Sequence, residues 1–175
     1  MKILITGGAG FIGSHLVDAC MERGDEVFII DNLSTGQRDN IAHHGDQVHF
    51  HEVDIRDRVR VSEIFDTVRP EAVFHLAAQI NVRESIRNPI NDIEVNILGT
   101  MNILEAMRKC ECSRMIFSST GGAMFGGDTP PYSESHEAHP ETPYGISKRT
   151  IELLLEFYDR QYGFHSTMLR YANVY

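Results

Sequence analysis

Residues 6–13 read TGGAGFIG, a glycine-rich stretch between an apolar run at 2–6 and a helical pattern at 11–24. The apolar run KILIT is bounded by glycines, which predicts a buried strand, and the helical pattern has its stop signal at Gly24. A dinucleotide requires such a turn, because glycine lets the backbone approach the pyrophosphate while the helix N-terminus faces its negative charge. The stretch therefore predicts a dinucleotide-binding unit, and the alternative is a glycine turn of another α/β protein.

The rest of the chain alternates in the same way. Further strands are predicted at 26–31, 47–55, 72–78, 114–119 and 164–171, and further helices at 56–70, 89–110 and 143–163. The stretch 120–142 is rich in glycine, proline and serine, which predicts a loop. Alternating strands and helices imply right-handed crossovers, so the fold class is a doubly wound α/β domain with a parallel sheet of about six strands, ordered 3-2-1-4-5-6.

Composition excludes several classes of protein. The formal charge of −9 is a poor match to nucleic acid. There is no 18-residue apolar run, and the N-terminus lacks a signal-peptide profile, so we expect no membrane partner and a cytoplasmic location. The cysteines, Cys20, Cys110 and Cys112, have no metal spacing and are expected to be reduced.

Histidines concentrate in HHGDQVHFH, which holds His43, His44, His49 and His51. His49 and His51 would share one face of a strand, at a spacing that can chelate. No carboxylate or cysteine pattern accompanies them in the sequence, however, and exposed histidines at strand edges are common. The sequence therefore predicts no metal site.

Asp31 ends the second strand and follows the glycine turn at the distance expected of a ribose ligand. A carboxylate there can accept hydrogen bonds from a ribose diol and would repel a 2′-phosphate. This predicts that NAD is preferred over NADP.

The ends of other strands supply further walls, since ligands of open α/β sheets bind outside the carboxyl ends of the strands. Asp54 and Ile55 end the third strand, Leu76 to Gln79 end the fourth, and Ser118 to Thr120 end the fifth. Such residues are common turn formers, so each is a weak signal alone. Their convergence on one rim predicts a single site.

YGISK at 144–148 places Tyr144 and Lys148 four residues apart at the start of a helix, on one face. A nearby lysine could lower the pKa of a phenol and make it a usable base. Taken alone, such a pair is more often an aromatic residue and a charge at an ordinary helical spacing than a catalytic pair.

These motifs together resemble the extended short-chain dehydrogenase/reductase superfamily and, within it, the UDP-glucose 4-epimerases. The resemblance spans the chain through TGGAGFIGSH, DNLSTG, LAAQ, FSSTGGAMFG, YGISK and LRYANVY. It implies that Tyr144 is the acid/base, that Lys148 lowers its pKa and binds the nicotinamide ribose, and that Thr120 contacts the sugar hydroxyl being oxidised.

The complete cofactor site predicted at this stage is a set of residues from the turn, the strand ends and the helices. Its members are Gly7, Gly10, Phe11, Ile12, Gly13, Asp31, Asn32, Asp54, Ile55, Leu76, Ala77, Ala78, Gln79, Asn96, Ser118, Tyr144, Lys148 and Tyr171.

Gly121 and Gly122 stand where sugar dehydratases carry an Asp-Glu pair. Without those carboxylates, return of hydride to the 4-keto intermediate is simpler than elimination of water. The resemblance therefore implies a UDP-hexose 4-epimerase, with a UDP-glucuronate 4-epimerase, a dehydratase or a decarboxylase as alternatives. Phe125 replaces a tyrosine common in relatives, which puts any substrate contact at that position in doubt.

In the resembled family, LRYANVY leads into a C-terminal nucleotide-sugar domain. We therefore expect residues 1–175 to be the NAD-binding domain alone, either a natural fragment or a deliberate truncation, with little or no turnover. The alternative to an enzyme is an NAD-binding module without catalysis.

The helices 89–110 and 144–162 carry more apolar residues than one sheet-facing stripe requires. This predicts a homodimer through these two helices, as the resemblance also implies. The alternative is that the C-terminal domain covers the surface.

Overall fold

The computed structural model describes residues 1–127 and 131–175, and its centre is a six-stranded parallel sheet in the order β3-β2-β1-β4-β5-β6. The strands are β1 Lys2–Thr6, β2 Glu26–Asp31, β3 Val48–Glu52, β4 Ala72–His75, β5 Arg114–Thr120 and β6 His165–Tyr171. The predicted fold class and strand order are confirmed.

Helices cover both faces of this sheet. They are α1 Phe11–Glu22, α2 Arg58–Val68, α3 Val82–Arg87, α4 Pro89–Asp92, α5 Gly99–Lys109 and α6 Pro143–Tyr162. A 3₁₀ segment, Arg38–Gln47, precedes β3 and is interrupted at Gly45, where φ is 54°. Part of the predicted loop 120–142, residues 128–130, lies outside the described residues.

The alternation of side chains along β1 explains why the sheet has two cores. Leu4 joins the cluster under α2, α5 and α6, whereas Ile3 and Ile5 join the cluster under α1. Successive side chains of a strand point to opposite faces, so a strand covered on both faces must be apolar throughout. All three residues are at most 1% exposed.

Two strands end earlier than predicted, and one helix was not predicted. The third strand ends at Glu52 and the fourth at His75, earlier than the predicted 55 and 78. In the fourth, the amides of Leu76 and Ala77 donate to Thr6 Oγ1, which draws the chain out of the sheet. Helix α3 was not predicted, although the Asn81 side chain caps it by accepting from the Glu84 amide.

The predicted regular helix 89–110 contains a π-helical stretch, Ile93–Leu98, between α4 and α5. It leaves the Asn96 carbonyl to accept from the Thr100 hydroxyl, and both residues are buried. π-Helical turns are rare and often occur at functional sites. One widened turn leaves the apolar pattern nearly unchanged, which is why the pattern did not show it.

The described residues contain no helix that is both long enough and apolar enough to cross a membrane. Cys20, Cys110 and Cys112 are buried free thiols, as expected. Burial raises the pKa of the Cys112 thiol to about 11, so this residue is held in the unreactive form.

Candidate active site

A cleft of about 990 Å³ opens at the carboxyl ends of the strands. It brings together most of the residues predicted from the sequence. Those in its lining are Gly7, Gly10, Phe11, Ile12, Gly13, Asp31, Asn32, Asp54, Ile55, Leu76, Ala77, Ala78, Ser118, Thr120, Tyr144 and Tyr171.

The backbone of the glycine turn forms one wall of the cleft, and it is packed too closely to admit side chains. A Cβ atom at Gly13 would lie 2.1 Å from the Gly7 carbonyl oxygen, and Gly7 itself has φ of 72°. Helix α1 begins directly after Gly10, and among the described residues no side chain caps this end. Its first amides therefore face the cleft as anion donors.

Asp31 joins this turn to the end of β2. Its Oδ2 accepts from the Ala9 amide at 3.0 Å and its Oδ1 accepts from the Leu33 amide at 2.8 Å. The carboxylate is buried but still lines the cleft. Each oxygen has a second lone pair, so a structural role in the turn is compatible with the predicted role toward a ribose.

Asp54 is held at the rim by two neighbours. Arg56 donates to both of its carboxylate oxygens, and Asn32 Nδ2 donates to Oδ2 at 2.8 Å. The hydrogen bonds from Arg56 lower the pKa of Asp54 to about 2 against the opposing effect of burial. This corner of the cleft is therefore negative at neutral pH but already paired.

The loop after Asn32 was missed as part of the site. Ser34, Thr35 and Gly36 line the cleft, and a Cβ atom at Gly36 would lie 2.9 Å from the Ala9 carbonyl carbon. The next residue, Gln37, donates its amide to the Ala9 carbonyl oxygen at 3.0 Å. The small residues in DNLSTG were the available signal, since they permit this close approach to the glycine turn.

Tyr144 lies at the opposite end of the cleft, in the first turn of α6. The Thr142 side chain caps the helix by accepting from the Gly145 amide, and the Tyr144 amide donates to Ser85 Oγ. Burial raises the pKa of the Tyr144 phenol, and a hydrogen bond with the Thr120 side chain partly opposes this shift. The predicted catalytic residues Thr120 and Tyr144 are thus in direct contact.

Lys148 lies beneath the cleft rather than in its lining, and it is 3% exposed. Its Nζ donates to the Ser118 carbonyl at 2.8 Å and lies 5.8 Å from the centroid of the Tyr144 ring. Burial lowers the pKa of Lys148 to about 8, although the charge of Asp92 opposes the shift. In this structure desolvation of the phenol dominates and leaves the pKa of Tyr144 raised, so a lowering of that pKa by Lys148 stays a prediction.

Gln79 and Asn96 also lie below the cleft, where they meet a residue that the sequence analysis missed. Asp92 is fully buried, and its Oδ1 accepts from Gln79 Nε2 at 3.0 Å and from Asn96 Nδ2 at 3.1 Å. Its Oδ2 accepts from Ser147 Oγ at 2.6 Å. These contacts fix α4 and the π-helical stretch against α6, directly behind Tyr144 and Lys148.

A second buried carboxylate supports the end of β5. Glu152 is 1% exposed, and it accepts from Arg170 Nε and Nη2 at 2.9 and 2.7 Å and from Ser119 Oγ at 2.7 Å. Burial opposes its ionisation, but the hydrogen bonds from Arg170 and Ser119 hold the pKa of Glu152 below its ordinary value. Ser119 lies between Ser118 and Thr120, so its hydrogen bond to Glu152 positions these two residues of the cleft.

Phe125 is 7% exposed and lies among aromatic and charged neighbours. Its ring stacks on Tyr132, with centroids 4.5 Å apart, and the Arg170 guanidinium lies 5.6 Å from its centroid. The absence of a hydroxyl here, noted in the sequence, is therefore accommodated by packing against this loop.

The comparisons with known proteins agree on one kind of relative. A model of the NAD dependent epimerase/dehydratase family matches residues 3–175. The UDP-glucose 4-epimerase of Mycolicibacterium smegmatis is 37% identical over an alignment of 180 residues that covers 100% of this chain and 56% of that protein. The chain thus spans slightly more than half the length of the curated relatives that it matches.

Two solved structures are similar throughout the chain. A UDP-glucose 4-epimerase from Thermotoga maritima, crystallised with UDP-glucose, has 47% identity and a TM-score of 0.96, covering 100% of this chain and 56% of that one. The UDP-glucose 4-epimerase of Thermus thermophilus, in complex with NAD, has 44% identity and the same TM-score and coverage. The likeness therefore extends over the whole chain and is not confined to one part of it.

Proposed function

Because this chain belongs to the NAD dependent epimerase/dehydratase family, we propose that it binds NAD and serves in the interconversion of UDP-glucose and UDP-galactose. One observation carries the proposal: a single cleft joins the glycine turn and Asp31 at one end to the Tyr144–Thr120 pair at the other. A dinucleotide is the ligand class that needs both ends at once.

The residues present fit NAD. The absence of a side chain at Gly13 lets α1 pack directly on the glycine turn, so that its first amides, at Phe11 and Ile12, can face the pyrophosphate. Asp31 and Asn32 would hold the adenosine ribose, and the carboxylate would repel the 2′-phosphate of NADP. Lys148 would hold the nicotinamide ribose by a small movement from the Ser118 carbonyl.

NAD, when bound, supplies reversible acceptance of a hydride from the sugar. The residues of this chain handle the proton of the sugar 4-hydroxyl. Thr120 orients that hydroxyl and Tyr144 Oη exchanges its proton. The raised pKa of Tyr144 means that the chain alone favours the protonated phenol, which is the form that returns a proton to the sugar oxygen.

Epimerisation is favoured over elimination because Gly121 and Gly122 offer no carboxylate. A Cβ atom at Gly121 would lie 3.1 Å from the Tyr171 carbonyl oxygen, so a side chain there would require a small local adjustment, whereas a Cβ atom at Gly122 would have no described neighbour within 4 Å. Glu141 does line the cleft, which keeps a dehydratase as the second candidate. NMR of the products distinguishes the two, since elimination yields a 4-keto-6-deoxy sugar.

We also propose that the partners are a UDP-hexose and a second copy of the chain, and that the location is cytoplasmic. The homodimer is supported by side chains on the helices between Pro89 and Lys109 and on α6 that remain exposed. They are Ile90, Ile93, Leu98, Ile146, Leu153 and Phe157. Sedimentation velocity at micromolar concentration tests pairing, and a clean monomer would contradict it. The formal charge of −9 supports the absence of a nucleic-acid partner.

Mass spectrometry of the supernatant of heat-denatured protein tests the cofactor, and titration with NAD and NADP tests the choice between them. We expect NAD, and equal affinities would remove Asp31 from its proposed role.

A coupled assay with UDP-galactose tests turnover, which we expect to be low for these 175 residues by themselves. Tyr144→Phe is the matched variant, because it should bind NAD normally and lose any residual turnover. Failure to bind either dinucleotide would overturn the proposal, whereas NAD binding without turnover would favour the binding-module alternative.

A further inference from the structure

Three potential metal ligands converge on the outer surface of α1, away from the cleft. His43 Nε2 and His44 Nε2 lie 2.9 and 2.7 Å from the same oxygen of Asp18, Oδ1. One ligand atom from each residue can be chosen so that all lie within 4.8 Å of one another. His15 Nδ1 is a further donor, 3.9 Å from Asp18 Oδ2.

The fold creates this cluster, which the sequence does not show. Asp18 precedes the histidines by 25 residues and lies on a different element. Ile41, which is 3% exposed, packs with Val17 in the core under α1. Val17 and Ile41 are close neighbours of the ligands along the chain. Their packing therefore fixes the 3₁₀ segment against α1 and sets the distances between Asp18 and the two histidines.

The donor set indicates the class of metal. Imidazole nitrogen with carboxylate oxygen suits Zn²⁺ and other divalent transition metals, whereas Mg²⁺ and Ca²⁺ prefer oxygen alone. The imidazoles of His43 and His44 have ring centroids 4.1 Å apart and point at one oxygen. Without a metal, both must carry a proton on Nε2 to satisfy that oxygen.

We propose that Asp18, His43 and His44 form a binding site for a divalent transition metal of the Zn²⁺ class, with His15 or water as the fourth ligand. On metal binding each of these imidazoles carries its proton on Nδ1 instead of Nε2, so that the two Nε2 lone pairs and the carboxylate bind the metal. His44 is the anchoring ligand, because its side chain is 13% exposed, compared with 56% for His43.

Occupancy would fasten the 3₁₀ segment Arg38–Gln47 to α1. Asn40 of this segment already donates its Nδ2 to the Ala9 carbonyl at 2.8 Å. The site is built from residues outside the lining of the cleft and does not depend on the proposed function. Metal binding at this site should raise the melting temperature of the protein in the presence of Zn²⁺, since a ligand that binds only the folded state stabilises that state.

The test is isothermal titration of the chelator-treated full chain with Zn²⁺, together with Co²⁺ absorption spectroscopy. We expect one equivalent to bind, with tetrahedral d–d bands and without thiolate charge-transfer bands. Asp18→Asn and His43→Gln should each weaken binding by at least the 10–100-fold that loss of an outer-shell partner typically costs. His49→Gln, which removes an exposed histidine of β3, is the matched control and should bind as the wild type does.

Several outcomes would overturn the site. Equal Zn²⁺ affinity in the wild type and both ligand variants would do so, as would Co²⁺ bands characteristic of thiolate. A wild type that binds no Zn²⁺ would show that the three side chains are simply hydrogen-bonded. If Asp18→Asn fails to fold, His43→Gln decides the matter, because it changes an exposed side chain.

Discussion

The two halves of the sheet build their parts of the cleft differently. In the half formed by β1, β2 and β3, the wall is backbone, shaped by Gly7 and Gly13 and held by Asp31. In the half formed by β4, β5 and β6, the buried carboxylates of Asp92 and Glu152 accept hydrogen bonds from Ser147 and Ser119, which are the chain neighbours of the proposed catalytic residues Lys148 and Thr120. One half depends on the absence of side chains and the other depends on charged ones.

This difference predicts two kinds of sensitivity. A backbone wall tolerates no added atom, whereas the Asp54–Arg56 ion pair at its rim is partly exposed and contributes little energy. A buried network tolerates conservative changes of shape but not the loss of one partner, since the remaining charge is then uncompensated. Substitutions in each half can separate the sensitivity to added atoms from the sensitivity to loss of a charge partner.

Gly13→Ala should have the largest effect. Its Cβ atom would lie 2.1 Å from the Gly7 carbonyl oxygen and 2.8 Å from Gly8 Cα, and both of these are backbone atoms. We expect a loss of more than about 4 kcal/mol in the free energy of unfolding, at the exceptional end of single substitutions. Urea denaturation measures it.

Gly122→Ala is the control for this substitution, because a Cβ atom there would have no described neighbour within 4 Å. We expect a change within about 0.5 kcal/mol. Equal stability of the two variants would show that the turn can relax. The half formed by β1, β2 and β3 would then not depend on the absence of side chains.

Glu152→Gln should have the next largest effect. It keeps the shape of the buried side chain but removes the charge that faces the half-buried guanidinium of Arg170. Breaking a buried pair from one side costs about 3 kcal/mol. Glu156→Gln, on the exposed side of the same helix, should cost less than about 0.5 kcal/mol in the same urea titration.

The pH dependence provides a second check on Glu152. Because its folded pKa lies below the ordinary 4.5, its contribution is present above that pH and is lost as the pH falls through the folded value. The stability difference between wild type and Glu152→Gln should therefore shrink on acidification below about 4.5. A difference that stays constant would mean that packing, and not charge, supports the end of β5.

The same contrast explains what could be predicted from the sequence. The glycine turn, Asp31 and the strand order are encoded by local spacing, because neighbouring residues in the chain are neighbours in that half. Asp92 and Glu152 carry no such signal, since each is a polar residue whose partners come from distant elements. His75 is similar: its ring bridges Thr6 and Thr100, at 2.7 and 2.8 Å, only after β1, β4 and α5 have assembled.

The protonation of Tyr144 and Lys148 follows from the same cause. The spacing in YGISK correctly placed Tyr144 and Lys148 on one face, but it could not show how deeply they are buried. Desolvation raises the pKa of the phenol and lowers that of the amine. Local sequence predicts which groups meet, whereas their protonation depends on the surrounding protein.

Lys148→Met should alter the pH dependence of stability rather than only its value. The folded pKa of about 8 lies below the ordinary 10.5, so the unfolded chain binds the extra proton between these values. Stability of the wild type should thus rise relative to the variant as pH increases from 8 toward 10, by about 2 kcal/mol. Urea titrations at several pH values measure it.

Lys109→Met, at an exposed lysine, is the control and should parallel the wild type across this pH range. If the wild type instead gains nothing relative to Lys148→Met, the buried amine is already neutral or fully compensated by Asp92. Hydrogen bonds, more than charge, would then stabilise the half of the cleft formed by β4, β5 and β6.

Asp54→Asn should have the smallest effect, although the pKa of this carboxyl is lowered to about 2. The side chains of Asp54 and Arg56 are 26% and 42% exposed, so solvent screens their attraction. We expect a cost below about 1 kcal/mol at pH 7, falling as the pH drops from about 4 toward 2, where the wild-type carboxylate also loses its charge. The control is Asp46→Asn, at an exposed carboxylate of the 3₁₀ segment. If Asp54→Asn cost as much as Glu152→Gln, charge would support both halves equally, and the contrast would reduce to the glycine turn alone.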